Sequence, residues 1–342
     1  MGEVYRDIGQ EPVRLEVRDD HRLTGICFGH IVPARRGRHL AIPYGPVLES
    51  MNALPELMTE LGKIAKEAGC GFVRMSPFSR MDNGQWTMDN KTMPSPLHLL
   101  AEHLWYLPLT KQDRWASLST TNDTLRTSPE ERVTEEQLLS EMRSTTRNLI
   151  RRAQKEGVTI EASTDPVADL QHFITLHDET RKRHGFTPYT NAFFRAQVAR
   201  FAPRKECTLY LARYQEQIIA ASIHMHVGGE TSYHHGASTH QFSKIPASYL
   251  LQWTAVTDAL KRGDSIYNFW GTAPLIPDGN PSLQATSYKL QANRHPFAGV
   301  SLFKTGFGGK PLHLVHCMDI PLHPSYYATR AFETVRKWKR GF

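Results

Sequence analysis

Two stretches of alternating apolar and polar residues, one in each half of the chain, follow the same plan. Residues 13–17 alternate, a polar turn follows, and residues 23–32 are rich in apolar side chains. This pattern predicts two adjacent β-strands. Residues 208–212 and 218–227 repeat it around a second polar turn. A strand–turn–strand unit in each half indicates two copies of one fold.

Apolar positions spaced three and four residues apart predict helices between these strand pairs. The predicted helices are residues 53–68, 135–155, 167–184, 191–201, 248–261 and 328–339. Further strands are predicted at residues 72–75, 105–109 and 265–270, and an exposed polar loop over much of 111–136. The alternation of strands and helices predicts a mixed α/β (α+β) protein.

The composition is that of a globular protein with enough apolar material for two cores. The chain has 342 residues, of which 40% are hydrophobic and 22% are charged. A chain of this length usually forms about two domains. No run approaches the roughly 18 apolar residues of a membrane-spanning helix, and the start of the chain lacks the basic-then-apolar order of a signal peptide. The sequence therefore predicts a soluble cytoplasmic protein.

Net charge and cysteine content each narrow the class of protein. A net charge of +7 favours an acidic partner such as nucleic acid, phosphate or an anionic membrane surface, although a merely basic enzyme fits as well.

The four cysteines are far apart and form no C-x-x-C pair. Their spacing argues against a disulfide framework or a zinc ribbon, so we expect reduced, buried thiols.

The helix predicted at residues 135–155 carries a basic stripe. Its members recur every four residues and therefore share one helix face: Arg143, Arg147, Arg151 and Lys155. Like charges at this spacing repel one another, so either water solvates the face or an acidic group lies against it. The second alternative is a contact with the phosphates of RNA or of lipid.

A two-glycine turn, Gly228-Gly229, joins two strands rich in histidine. The turn predicts a hairpin in which His224 lies opposite Tyr233, and Ser222 lies opposite His235. In this register one polar face of the sheet would carry His224, His226, Tyr233 and His235. Such a face is suited to the wall of a cleft, with solvated histidines as the alternative. No metal site is predicted, because a metal needs three ligands in firm geometry.

The segment at residues 301–310 combines aromatic residues, glycines and two lysines. A lysine flanked by aromatic rings is partly desolvated and is suited to approach a substrate carbonyl; Lys304 follows Phe303 here. The chain has no phosphate-binding P-loop and no G-x-S-x-G nucleophile turn. It also lacks a Q/R-x-x-G-x-G/A loop for acyl-CoA. The sequence therefore predicts no cofactor.

Six segments, taken in order and spacing, carry a family resemblance. They are residues 145–158, 183–186, 233–238, 246–253, 267–271 and 303–308. Residues 41–47 add a P-x-G-P-V turn. Together they resemble the FemX/FemAB family of peptidoglycan bridge-forming aminoacyltransferases over nearly the whole chain.

The resemblance implies two GNAT-like domains, with mixed sheets flanked by helices. The first would comprise residues 1–103 plus 318–342, and the second residues 104–317, carrying the Phe-Lys pair. The implied reaction moves an amino acid from aminoacyl-tRNA to the stem peptide of a cell-wall precursor. An aminoacyl ester is already activated, so this reaction needs neither ATP nor a metal.

The resemblance also implies roles for individual residues. Lys304 and Phe303 would lie beside the aminoacyl ester, and Lys304 would stabilise the oxyanion. The family often has a carboxylate where Ser76 stands, so the general base would be His235 or the substrate itself. The implied substrate-binding residues are Arg6, Tyr189, Phe193, Tyr233, His224 and Tyr249.

Three departures bear on the acceptor. The arginine and the tyrosine that bind a sugar nucleotide in FemX fall near Tyr189 and Phe193, and His235 replaces the second tyrosine of a Tyr-x-Tyr pair. An arginine–phosphate contact is charge-assisted, and a tyrosine does not replace it. We therefore expect lipid II or a related muropeptide as acceptor rather than a soluble UDP-linked one.

The expected partners are aminoacyl-tRNA and lipid II, with a monomer acting in the cytoplasm at the inner face of the membrane. Three alternatives stay open. They are a CoA-dependent GNAT acyltransferase, a non-catalytic RNA- or membrane-binding module, and the same transfer reaction on natural-product peptides. The sequence names neither the amino acid transferred nor the attachment position.

Overall fold

A computed structural model describes residues 1–35, 37–81, 86, 92–116, 131–184, 189–277, 288–290 and 295–340. Within these ranges no helix is both long enough and apolar enough to cross a bilayer. Most of the predicted loop at 111–136, and part of the motif at 183–186, lie outside the described residues.

Strands and helices alternate along the described chain. The strands are β1 (Glu11–Asp19), β2 (Arg22–Val32), β3 (His39–Pro43), β4 (Val47–Leu48), β5 (Phe72–Ser76), β6 (Met93–Pro94), β7 (His103–Pro108), β8 (Thr159–Ala162), β9 (Cys207–Tyr214), β10 (Gln217–Val227), β11 (Glu230–Ser238), β12 (Ile266–Gly271), β13 (Leu275–Pro277), β14 (Tyr288–Leu290), β15 (Lys310–His313) and β16 (Met318–Pro321). The α-helices are α1 (Gly2–Asp7), α2 (Leu54–Glu67), α3 (Glu135–Glu141), α4 (Ser144–Lys155), α5 (Pro166–His184), α6 (Asn191–Phe201), α7 (Ala247–Arg262), α8 (Ala298–Thr305) and α9 (Ser325–Arg340).

The first sheet has the order β1-β2-β3-β5-β16-β6, with β4 paired to β2. Strand β16 reaches this sheet from the C-terminal part of the chain and pairs antiparallel with β5. Helix α2 covers one face through Leu57, Leu61 and Ala65, as its apolar spacing predicts. The four cysteines are buried and unpaired, as expected.

The second sheet has the order β15-β7-β12-β11-β10-β9-β8 and is covered on both faces. Alternate residues of β9 and β10 enter two different cores, as the pleat requires. Tyr210 and Ala220 pack with α4 and α7, whereas Leu209 and Ile223 pack with α5 and α6. Val4 of α1 joins this second core. The first residues of the chain, which belong to the predicted first domain, therefore pack on the second sheet.

The single helix predicted at 135–155 is wrong, because the chain breaks into α3 and α4. Met142 and Arg143 take extended backbone angles, with ψ of 151° and 142°. The guanidinium of Arg147 donates to the carbonyl oxygens of Leu139 and Ser140 at the end of α3. These contacts satisfy acceptors that the break leaves without helical partners.

Candidate active site

The second sheet opens between its two central parallel strands. Strands β11 and β12 pair only through residues 230–232 and 266–268. Beyond this point β11 stays paired to β10 alone, and β12 stays paired to β7 alone. Tyr233, His234 and Trp270 therefore stand where the two strands part. An opening of this kind, in the middle of a sheet, admits a ligand to backbone groups and side chains of both strands.

Trp270 has a strained backbone at this opening. Its φ is +68°, a left-handed conformation that is unusual for a large L-residue and costs about 1–3 kcal/mol. The side-chain oxygen of Asn268 accepts a hydrogen bond from the Trp270 backbone N–H at 2.7 Å and holds the turn. The pairing of β12 with β7 shifts register across the same residues. Strain held in this way is typical of functional sites.

Lys304 comes from the last turn of α8 and reaches the same opening. Its buried Nζ donates a hydrogen bond to the carbonyl oxygen of Gly271 at 2.5 Å and lies 5.8 Å from the centre of the Tyr233 ring. Desolvation by burial lowers the pKa of Lys304 to about 7. Ammonium and amine forms therefore coexist near neutral pH, as in catalytic lysines.

Phe303 and Tyr249 lie behind Lys304. The ring of Phe303 packs edge-on against Tyr249 of α7, with centroids 4.9 Å apart. Phe307 contacts both rings. These aromatic side chains belong to the core between α7 and the sheet, so they fix the position of α8. The expected substrate contacts of Phe303 and Tyr249 stay predictions.

The hairpin register is confirmed near the turn and wrong beyond it. Gly228 and Gly229 have φ of +62° and +77°, and His224 lies opposite Tyr233. A β-bulge then makes His234 an extra residue, so that His235 faces Ile223 rather than Ser222. His235 consequently points to the opposite face of the sheet from His224.

The bulge brings the side chains of His234 and His235 into contact with each other. Nδ1 of His234 lies 3.0 Å from Nε2 of His235. The His234 ring packs against Trp270, at 5.0 Å, and the His235 ring packs against Phe194, at 4.8 Å. Burial lowers the pKa of His234 to about 4 and that of His235 well below its ordinary value. Both rings are neutral at pH 7 and are weak bases.

His224 and His226 are core residues, which corrects their expected place on a cleft wall. His224 is fully buried, and its Nε2 lies 2.8 Å from the hydroxyl of Tyr267. His226 bonds to the hydroxyls of Thr208 and Thr231. Helices cover this face of the sheet, so neither ring has a surface free for substrate. Burial lowers the pKa of both.

Of the residues expected to bind substrate near the start of α6, Tyr189 alone has an open ring. Its side chain is 44% exposed and stacks on Phe193, with centroids 4.5 Å apart. Phe193 is buried in the core beneath it, so it supports Tyr189 rather than contacting substrate. Arg6 is exposed and pairs with Glu3, whereas its neighbour Tyr5 stacks on His30 and approaches Phe193.

The basic stripe on α4 is divided between two roles. Arg143 donates to Leu302 and Thr305 in α8, and Arg147 caps α3. These two arginines therefore hold neighbouring helices, including the one that carries Lys304. Arg151 and Lys155 are exposed and keep the expected phosphate-contacting role as a prediction.

Sequence reasoning missed three residues at the opening, namely Tyr44, Trp270 and Glu230. Tyr44, from the turn after β3, packs edge-on against Trp270 at 5.7 Å and so connects the first sheet to the site. Glu230 accepts hydrogen bonds from Ser232 and from the Asn268 amide, and burial raises its pKa. Tyr44 and Trp270 belong to segments 41–47 and 267–271, which carry the family resemblance. Nothing in the sequence of either segment indicates that the two contact each other in the fold.

One group among the described residues has ligand atoms close enough to hold a metal ion. The atoms belong to His98, Glu102 and His316 and lie within 4.8 Å of one another. The His316 ring already donates to Glu102 and to the Ser95 carbonyl, and Glu102 also receives the Cys317 N–H. Burial alone would raise the pKa of Glu102, but the hydrogen bonds from His316, His98 and the Cys317 N–H outweigh it and lower the pKa to about 2. The geometry is that of an imidazolium–carboxylate pair.

Comparison with known proteins identifies the fold. Residues 140–289 match the family described as "Acetyltransferase (GNAT) domain". The crystal structure of FemX superposes with a TM-score of 0.69 at 17% identity, covering 96% of this chain and 92% of that one. No protein with a curated function matches the sequence.

Two further solved structures share the fold. The C-terminal domain of a putative lysylphosphatidylglycerol synthetase from Agrobacterium fabrum gives a TM-score of 0.56 at 12% identity, covering 97% of this chain and 90% of that one. L-PGS from Bacillus licheniformis gives 0.54 at 15% identity, with 90% and 85% covered. The predicted mixed α/β, GNAT-like fold is confirmed.

Proposed function

We propose that this protein transfers an amino acid from aminoacyl-tRNA to the stem-peptide amine of a peptidoglycan precursor, with lipid II as the preferred acceptor. The observation that carries the proposal is Lys304, whose buried Nζ lies at the point where β11 and β12 separate. The FemX-like fold over nearly the whole chain supports the same chemistry. The reaction would take place in the cytoplasm, with a monomer at the inner face of the membrane.

The proposed step needs only groups that the chain and the two substrates supply. The neutral acceptor amine attacks the ester carbonyl, a C–N bond forms, and the carbonyl oxygen becomes an oxyanion. Lys304, in its ammonium form, stabilises that oxyanion; such a contact contributes on the order of 3 kcal/mol. The C–O ester bond then breaks, and the proton lost by the amine passes to the departing tRNA hydroxyl.

The two histidines at the opening are weak bases, so we assign the proton transfer to the substrates themselves. A base with a pKa of about 4, such as His234, accepts a proton from a substrate ammonium only weakly, because a lysine-like amine has a pKa near 10.4. Burial also lowers the pKa of His235 well below its ordinary value. We therefore assign both histidines to positioning, since they hold Trp270 and Tyr189 at the opening.

The exposed ring of Tyr189 and the half-buried rings of Trp270 and Tyr44 suit the acceptor, and the exposed cations suit the tRNA. Tyr189, Trp270 and Tyr44 line the approach from the first sheet, and flat rings of this kind stack on sugar and peptide groups. Arg151 and Lys155 lie on the exposed side of α4. Arg143, at the start of the same helix, donates a hydrogen bond to α8. Phosphates bound along α4 would bring the tRNA acceptor end toward Lys304.

A CoA-dependent acyltransferase is the second candidate, because the matched family is named for acetyltransferases. A pyrophosphate binds at free backbone N–H groups before a helix. The segment before α7, residues 239–246, has no glycine. The N–H groups of His240, Ser243 and Ile245 in it already donate to protein oxygens. This arrangement favours the tRNA-dependent reaction.

The test is a transfer assay with charged tRNAs. The protein is incubated with a mixture of aminoacyl-tRNAs and purified lipid II, and the muropeptide is analysed by mass spectrometry. We expect a mass gain of one amino-acid residue that disappears when the tRNA is deacylated beforehand. Acylation from acetyl-CoA with no transfer from tRNA would establish the second candidate. Transfer only to a natural-product peptide would move the reaction to another acceptor, and no transfer at all would favour a binding module.

A further inference from the structure

The C-terminal helix α9 presents an apolar stripe to solvent. Tyr327, Ala331, Val335 and Trp338 follow one another at intervals of four, four and three residues, so they lie along one side of the helix. Tyr327 is 57% exposed, Val335 is 52% exposed and Trp338 is 82% exposed. A helix on the surface of a globular protein ordinarily turns such a stripe toward the core.

The opposite side of α9, which faces the first sheet, carries charged and polar groups around the buried ring of Tyr326, which packs on Phe72. Glu333 accepts hydrogen bonds from the Arg74 guanidinium on β5, at 2.7 Å, and Arg74 also pairs with buried Asp319. The hydroxyl of Tyr326 donates to the same Asp319 carboxylate, at 3.1 Å. Hydrogen bonds and ion pairs therefore attach this helix to the protein, and its apolar stripe is not used for packing against the sheet.

Positive charge borders the exposed stripe. Lys337 and Lys339 flank Trp338 in sequence, so helix geometry places one lysine on each side of the stripe. Arg38 and Lys66 line an open groove beside the same helix, together with Thr329. The surface around α9 thus combines an apolar centre with a basic border.

We propose that α9 lies on an anionic lipid bilayer. Tyr327, Val335 and Trp338 enter the boundary between headgroups and acyl chains, and the flanking lysines meet lipid phosphates. Tryptophan at an exposed position bordered by lysines is typical of this interface. The charge pattern fits an anionic bilayer, because lysines on both sides of an apolar stripe are attracted to lipid phosphates while the stripe enters the headgroup boundary.

The experiment measures binding to vesicles and involves no transfer reaction, so it can fail independently of the proposed function. Purified full-length protein is sedimented with phosphatidylcholine vesicles and with vesicles containing about one-third phosphatidylglycerol, at fixed salt. We expect binding to the anionic vesicles alone. The double variant Val335→Ser/Trp338→Ser should lose about tenfold or more in affinity, and Lys337→Glu/Lys339→Glu should lose a similar factor.

Val167→Ser is the matched control, because Val167 lies on another helix and is 51% exposed. It should bind vesicles as the wild type does. Val335, Trp338, Lys339 and Val167 are exposed and Lys337 is half-buried, so we expect the thermal unfolding of every variant to stay close to that of the wild type, and it is measured for each. Equal binding by the Val335/Trp338 variant would overturn the proposal. A wild-type dimer that this variant dissociates, without vesicle binding, would also overturn it and would identify the stripe as an interface between copies.

Discussion

The Nζ of Lys304 lies 2.5 Å from the carbonyl oxygen of Gly271, the residue that follows strained Trp270. A helix end and a strand bulge, 33 residues apart in sequence, are thus joined by one hydrogen bond. The bond holds the lysine at the edge of the opening. A substrate oxygen that develops negative charge there would compete with the neutral carbonyl for the ammonium, and it would be preferred because two opposite charges attract each other strongly in a buried site.

Replacing Lys304 with methionine should lower kcat/KM for transfer by on the order of a hundredfold or more, as loss of an oxyanion donor does. Acceptor binding should change little, because the lysine acts at the ester. The measurement is the transfer rate with charged tRNA. Lys310→Met provides the control, since Lys310 is exposed and pairs with Asp113. Near-normal turnover by Lys304→Met would remove the assignment.

The pH dependence of Lys304→Arg distinguishes an oxyanion-stabilising cation from a base. The wild-type ammonium is lost as pH rises through about 7, whereas arginine stays charged. If the cation is what matters, the ratio of kcat/KM for Lys304→Arg to that of wild type should rise about tenfold per pH unit above 7. The ratio cancels titration of the acceptor amine. An arginine variant that is inactive at every pH, yet folded, would indicate a base instead.

The elements with strong local signals were predictable from the sequence. Helix α7 ends at Gly263, whose φ is +99°, and the hairpin turns at Gly228-Gly229, because glycine adopts these angles without strain. The break at Met142 has no such signal, since neither glycine nor proline stands there. It depends on the contacts that Arg147 makes with the end of α3.

The candidate site was only partly predictable. Lys304 and Tyr189 follow from local composition and resemblance. An alternating pattern does not reveal a bulge, because the extra residue, His234, looks like the next member of the strand. Tyr44 and Trp270 meet only because the first sheet packs against the opening of the second. A contact between distant segments of this kind leaves no periodic trace in the sequence.

The corrected register changes the expected effect of the histidine substitutions. The register expected from the sequence places His235 on the same face of the sheet as His224, and it predicts that His235→Phe slows transfer more than His234→Phe. In the structure His234 contacts Trp270, whereas His235 lies among Phe194 and Tyr189, where another aromatic ring fits. We therefore expect His234→Phe to cause the larger fall in kcat/KM. A larger effect at His235 would mean that its imidazole has a direct role.

Gly236→Ala should displace Tyr233 and impair transfer. A Cβ added at Gly236 would lie 1.8 Å from the Tyr233 hydroxyl oxygen, so the ring beside Lys304 must move. We expect kcat/KM to fall about tenfold or more, with a moderate loss of thermal stability. Gly299→Ala is the matched control, because open space surrounds that position in α8. Unchanged activity in Gly236→Ala would show that the position of Tyr233 is unimportant.

The proposed acceptor preference rests on the side chains around Tyr189. The FemX resemblance places a sugar-nucleotide-binding arginine near this residue, yet here the open ring of Tyr189 stacks on buried Phe193. His235 beside it is neutral at pH 7 because burial lowers its pKa. A pyrophosphate would find no fixed positive charge on these three side chains, whereas a lipid-linked acceptor can be concentrated at a membrane.

We therefore expect kcat/KM for lipid II in detergent or vesicles to exceed that for UDP-MurNAc-pentapeptide, measured with one charged tRNA at fixed salt. Tyr189→Arg, which restores the missing charge, should raise use of the soluble acceptor without raising use of lipid II. Equal or better use of the UDP-linked acceptor by the wild type would contradict the preference and leave aminoacyl transfer standing.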